Sequence, residues 1–145
     1  MQNKITQAWH IAENYDVSTL KDNAVVYSVS FMPHEQNKTD AINFKETHPN
    51  AKLLDDTECG KALIELGLDG KVNEVGPEIT QIWHLASSRY IKGASGNINA
   101  FVENADERST FCTTELKEIL ENPHITHING IEKNTFNKNF KPKRY

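Results

Sequence analysis

The sequence predicts an α/β domain in which a helical N-terminal part packs with a small parallel sheet. Three observations carry this. Residues 3–15 and 77–94 repeat apolar side chains at helical spacing. Residues 24–32 and 97–102 alternate as half-buried strands do. From residue 97 to residue 128 the order is strand, helix, strand, which a right-handed parallel crossover satisfies.

In chain order, Ile5, Ala8, Trp9, Ala12 and Tyr15 form the first apolar stripe. The strand after it alternates Val25, Tyr27, Val29 and Phe31, and Pro33 ends it. The polar stretch that follows lacks a clean period and reads as loop with a short helix over 40–45. Within residues 53–67, Asp55 or Asp56 can cap a helix that runs through Leu63, Ile64 and Leu66 and that Gly67 stops. Gly60 inside that helix is costly, by about 1 kcal/mol against alanine, and points to close packing. Gly76-Pro77-Glu78 is a helix start, and Ile79, Ile82, Trp83, Ala86, Tyr90 and Ala94 share one face. Ile98, Ala100 and Val102 alternate after it, and a charged loop over 103–108 follows. Thr113 can cap a short helix through Leu116, Ile119 and Leu120, which Asn122-Pro123 stops. Residues 125–128 are the last strand. Residues 131–145 read as a basic C-terminal tail on a single domain, residues 1–145.

Composition excludes several classes. A net charge of −4 and a pI near 5.8 argue against a protein built to grip a phosphate backbone, so nucleic acid is an unlikely partner. The basic tail is the exception and reads as a solvated segment. Two cysteines, Cys59 and Cys112, make no disulfide framework and read as free thiols. No apolar run reaches the length of a membrane span, and the N-terminus has no signal-peptide core. The chain reads as soluble, with any export signal lying outside it. There is no Walker loop, no GxSxG, no GxGxxG and no zinc signature.

Glu115 is the suggestive acid. With Thr113 as the cap it falls in the first turn of a helix, where the dipole favours the ionised carboxylate. On position alone, plain helix capping is the favoured account of it. Trp9 and Trp83 lie on apolar stripes, which fits core packing; at a pocket rim either indole could stack on a planar or cationic ring. Of Asp55 and Asp56, capping accounts for one and leaves the other free to sense a ligand. Histidines such as His84, His124 and His127 leave open a ribonuclease-type acid–base site, and a non-catalytic binding domain is the third reading.

Taken together, Trp83, the step Ser88-Arg89-Tyr90, the strand Ile98-Asn99-Ala100-Phe101-Val102, the turn Ser109-Thr110-Phe111 and the pair Glu115-Leu116 resemble the ADP-ribosyl cyclase / NAD glycohydrolase family in order and spacing. Upstream, Asp55-Asp56-Thr57-Glu58-Cys59-Gly60 resembles the family's acid-Asp-Thr-x-x-Gly step. The family's other pocket tryptophan falls on Trp9. Departures are clear. The animal enzymes are disulfide-rich, the chain is shorter, and the Ser-Arg that follows the first tryptophan in the family is His10-Ile11 here. These features resemble a compact bacterial toxin-domain relative, delivered into a target cell's cytoplasm as part of a larger protein.

The resemblance implies cleavage of the nicotinamide–ribose bond of NAD(+) or NADP(+), with the dinucleotide as substrate and no cofactor. Glu115 would stabilise the oxocarbenium-like ribose. Trp83 would stack on nicotinamide, Asp55 would be the nicotinamide-side acid, and Arg89 belongs to the same pocket segment. Ser109, Thr110 and Phe111 would line the diphosphate and ribose side, with the loop over 103–108 as a pocket wall. Hydrolysis to ADP-ribose is favoured over closure to cyclic ADP-ribose, because nothing in the sequence holds the dinucleotide folded. A cognate immunity or inhibitor protein is the implied partner.

Overall fold

The computed structural model describes residues 2–28, 36–68 and 77–143. Four strands form one sheet in the order β1-β2-β3-β4: β1 (Val25–Tyr27), β2 (Gly96–Phe101), β3 (Ile125–Ile128) and β4 (Ile131–Glu132). The first three run parallel, with Val26 beside Ala100 and Ile98 beside Ile128. Strand β4 is antiparallel to β3. Among the described residues, three α-helices lie between β1 and β2: α2 (Gln36–Thr47), α3 (Glu58–Glu65) and α4 (Pro77–Lys92). Helix α5 (Leu116–Glu121) lies between β2 and β3, as the crossover pattern predicts. Helix α1 (Gln2–Asn14) precedes the sheet and α6 (Lys133–Asn139) follows it.

The alternation in β2 divides the core. Ile98, Ala100 and Val102 face the main core, with Val26, Ile125, Ile128 and the stripes of α1, α3, α4 and α5. Val25 faces the other way, onto Ala41, Ala51 and Leu53, with Tyr27, Phe44 and Phe101 at the margin. Each fully buried aliphatic side chain here contributes about 1.5–3 kcal/mol. Tyr90, 1% exposed, pins α4 to the start of β1. Its hydroxyl accepts from the Val25 amide at 2.8 Å and lies 2.9 Å from the Val25 carbonyl.

Several expectations change. The strand expected over 24–32 is described only to Ser28, and its far half lies outside the described residues, as do Gly76 and the turn after Leu68. The short helix expected over 40–45 is the longer α2, whose period is weak because only Asn37 and Ala41 are fully buried. Neither Asp55 nor Asp56 caps α3. Thr57 does so, its hydroxyl accepting from the Gly60 amide at 3.1 Å. The aspartates sit in a preceding 3₁₀ turn, where Asp56 accepts from the Leu53 amide at 2.9 Å and pairs with Lys45 at 2.6 Å. Gly60 is needed there, since a Cβ would stand 2.0 Å from the Leu54 carbonyl oxygen.

The basic C-terminal segment folds back over its described length. Asn129 and Gly130, both at positive φ, turn β3 into β4. Asn129 also bonds both ways to Ala100, its side-chain amide giving and accepting at 2.8 Å. Glu132 caps α6 through the Asn134 and Thr135 amides. Phe136 stacks on Phe140, and Phe140 meets Phe111 edge-on at 5.6 Å. The Lys143 amide donates to the Ala105 carbonyl at 2.8 Å.

Candidate active site

Helix α4 presents Trp83, Ser87 and Tyr90 along one stripe, since steps of four and three residues return to the same helix face. Ser87 is 4% exposed, and its hydroxyl donates to Glu115 Oε2 at 2.6 Å. The bond spans 28 positions of sequence and joins α4 to the segment before α5.

That segment is a single π-helical turn, Phe111–Glu115, with the Leu116 amide reaching back five residues to the Phe111 carbonyl. Single π turns of this kind recur at functional sites. Ser109 supports it at the start, accepting from the Cys112 amide at 3.3 Å. Thr113 donates its hydroxyl back to the Ser109 carbonyl at 2.9 Å and is not the cap the sequence suggested. Glu115 therefore stands at the end of a wider turn rather than in the first turn of a helix.

This reverses the expected electrostatics. Glu115 is partly exposed at its surface, but loss of hydration around its carboxyl pushes its pKa up to about 7. The bond from Ser87 opposes the rise, and the nearby Glu118 carboxylate adds to it. Ser88, next to Ser87, donates in turn to Glu118. Near neutral pH, Glu115 can take or give a proton, and its ionised form is a desolvated negative charge that a developing cation would attract.

Trp83 is half-buried one helical turn before Ser87, and its indole N–H donates to the Leu68 carbonyl at 2.6 Å. Trp9 is also half-buried; its indole N–H donates to Glu78 Oε1 at 3.0 Å, so it sits where α1 meets the start of α4. Asp55 lies in the 3₁₀ turn that packs on α4. Burial raises its pKa, Asp56 adds to the rise, and Lys38 and Lys45 oppose it. Asp55, Asp56 and Glu115 all lie within electrostatic reach of the Tyr90 hydroxyl, whose own pKa burial pushes up.

Arg89 and Phe111 face inward. Arg89 donates to the Ala12 carbonyl at 2.6 Å and the Tyr15 carbonyl at 2.9 Å, placing its charge at the C-terminal end of α1. Phe111 is 1% exposed against Phe140. Thr110 is exposed, and Ser109 is buried. The charged loop closes on itself, with Arg108 donating to the buried Asp106 at 2.9 Å. Its first residues, Glu103 and Asn104, help line a cleft of about 470 Å³ at the carboxyl ends of β2 and β3, and Glu115 is not among the residues that line it.

Two residues escaped the sequence reading. Ser87 could have been found from its place one turn after Trp83, on the same stripe. Ser28 could not, because strand pattern alone gives a hydroxyl no role. It is 2% exposed at the end of β1, where its amide donates to the Phe101 carbonyl at 3.0 Å. Its hydroxyl has no hydrogen-bond partner among the described residues. Carboxyl ends of parallel strands are where α/β folds present groups to ligands.

No protein-family model matches the chain, and no curated protein sequence matches it. In three dimensions it is similar to porcine CD38, solved with a covalent intermediate, ribo-F-ribose-5′-phosphate, at 19% identity over 87% of this chain and 69% of that chain, with a TM-score of 0.56. At that identity the likeness establishes the fold: helices packed with a small, mostly parallel sheet, arranged as in CD38.

Proposed function

We propose that the domain cleaves the nicotinamide–ribose bond of NAD(+), releasing nicotinamide and ADP-ribose. The observation that carries this is the Glu115 carboxyl, fixed by buried Ser87 one helical turn from Trp83. The CD38-like fold supports it, since that protein was solved with a covalent ribose-phosphate intermediate.

Nicotinamide in NAD(+) is cationic and leaves with the electrons of its bond to ribose C1′, becoming neutral. Positive charge then builds on the ribose. The ionised Glu115 carboxylate stabilises that charge as it develops, which lowers the barrier more than it tightens substrate binding. Water adds at C1′ and gives its proton to the same carboxylate, whose pKa of about 7 suits that exchange. Trp83 offers an indole face to the nicotinamide ring. Asp55 stands on the nicotinamide side. The Ser28 hydroxyl, without a partner among the described residues, can donate to a substrate oxygen at the strand end. Thr110 is the turn residue exposed to meet the diphosphate.

Incubation of the purified chain with NAD(+), and separately with tRNA, tests the reading. Free nicotinamide, absent in Glu115→Gln, is the expected result. Cut RNA without nicotinamide would overturn it. The same reading extends to a delivered toxin that a cognate inhibitor protein neutralises. Expression of the chain in a bacterial cytoplasm is then expected to drain NAD(+) and stop growth, and Glu115→Gln is expected to do neither.

A further inference from the structure

We propose that Glu118 is a positioning residue for Glu115: clamped by Ser88, it holds a second carboxylate beside the first and sets the range of acidity over which the Glu115 site works. This rests on the reading of Glu115 as the working carboxylate.

The geometry is a doubled clamp. Ser87 and Ser88 are neighbours on α4, and Glu115 and Glu118 are three residues apart across the junction of the π turn and α5. Ser87 donates to Glu115 at the end of the π turn and Ser88 donates to Glu118 on α5, so two bonds tie α4 to the continuous helical segment that the turn and α5 form. Residues three apart on helical backbone share a face. The two acids are thus held side by side, both partly buried. Like charges so placed oppose each other. Docking α5 on α4 needs no such pair, because Leu116 and Ile119 already bury against the main core.

The charged groups around the pair leave this repulsion standing. On α4, the Arg89 guanidinium points to the Ala12 and Tyr15 carbonyls of α1. Tyr90 feels the Glu115 charge but is itself buried and neutral. His84 on α4 lies one turn before Ser88. On α5, Lys117 and Glu121 are exposed. From α6, the Lys133 ammonium donates to the Asn122 carbonyl at 2.7 Å. Glu118 is the charge that acts on the Glu115 carboxyl, in the direction that favours its protonated form. A site governed this way loses its ionised carboxylate, and with it turnover, as the surroundings become mildly acidic.

The test is Glu118→Gln, which keeps an acceptor for Ser88 and removes the charge. The acid limb of NAD(+) cleavage is expected to move down by on the order of half a pH unit, so that turnover at pH 6 relative to pH 8 rises roughly threefold. Glu118→Asp is expected to keep the wild-type profile. Carboxyl carbon NMR on the glutamate-labelled chain, without substrate, is expected to show the same displacement of the Glu115 titration. Should Glu118→Gln fold poorly, Ser88→Ala frees Glu118 into solvent and is expected to move the titration in the same direction by less. An unchanged Glu115 titration in a folded Glu118→Gln or Ser88→Ala variant overturns the inference. A displaced titration in a chain that releases no nicotinamide upholds the coupling and removes the NAD reading.

Discussion

Glu115 holds its charge at a cost to the folded chain. A carboxyl whose pKa rises from 4.5 when unfolded to about 7 when folded binds its proton more tightly in the native state. Stability is therefore greatest below the unfolded value and falls as pH rises through the interval between the two. Glu115→Gln removes the buried charge and keeps the acceptor for Ser87. At pH 8 it is expected to raise stability by about 2 kcal/mol, allowing for partial exposure, and at pH 4 to change little. Denaturant melts at the two pH values check this; a variant less stable than the parent at pH 8 would contradict the burial argument. The same variant is expected to lose turnover by on the order of a hundredfold or more. A variant that gains stability and loses turnover together would mark Glu115 as a group retained for chemistry. Trp83 separates by a different comparison. Trp83→Phe keeps a ring and loses the bond to Leu68; Trp83→Ala loses both. If the indole serves substrate, kcat/KM for NAD(+) falls in Phe and further in Ala, beyond what the change in Tm accounts for.

Among the elements, those with strong period were legible. Helices α1 and α4 and strand β2 show in the sequence because each buries a continuous stripe; β3, buried at Ile125 and Ile128, shows as a short run between Pro123 and Gly130. Helix α2 has few buried residues, and α6, with the sequence KNTFNKN, has none, so neither carries a stripe to read. Strand β4 was announced by Asn129-Gly130, a strong hairpin signal that went unread because only two strand residues follow it. The π turn had no signal: its extra residue lies where the Leu116 amide reaches back five residues to the Phe111 carbonyl, and helical period cannot register one added residue. That is why Glu115 appeared to sit at a helix mouth. The aromatic run of the C-terminal segment bears on the same turn. Phe140 abuts Phe111, the first residue of the π turn. Phe140→Ala is expected to cost about 2–4 kcal/mol and to lower kcat more than it raises KM, since it loosens the turn that ends in Glu115. Steady-state kinetics alongside a thermal melt resolve the two effects.

For the whole molecule, the sheet positions everything. Its first three strands run parallel, so their carboxyl ends gather Ser28, Val102 and the loop that leads into the π turn. The sequence motif linked Trp83, Ser109-Thr110-Phe111 and Glu115 by order alone. In the fold, Glu115 bonds to Ser87, one helical turn from Trp83 on α4, while Arg89 and Phe111 face the interior. Burial, which raises the pKa of the Glu115 carboxyl, is a property of the assembled core and has no trace in local sequence.

The Asn129 side chain gives the sheet a property of its own. It bonds to Ala100 through both groups that a neighbouring strand would use, so a single side chain acts there as one more rung of the ladder. The far end of β2 is thus latched by an amide, and a latch can be released without melting the rest. Asn129→Ala is expected to leave the Ile98 amide slow to exchange with deuterated solvent while the Ala100 amide exchanges quickly. The mouth of the neighbouring cleft would then open and close on its own clock, independent of global unfolding.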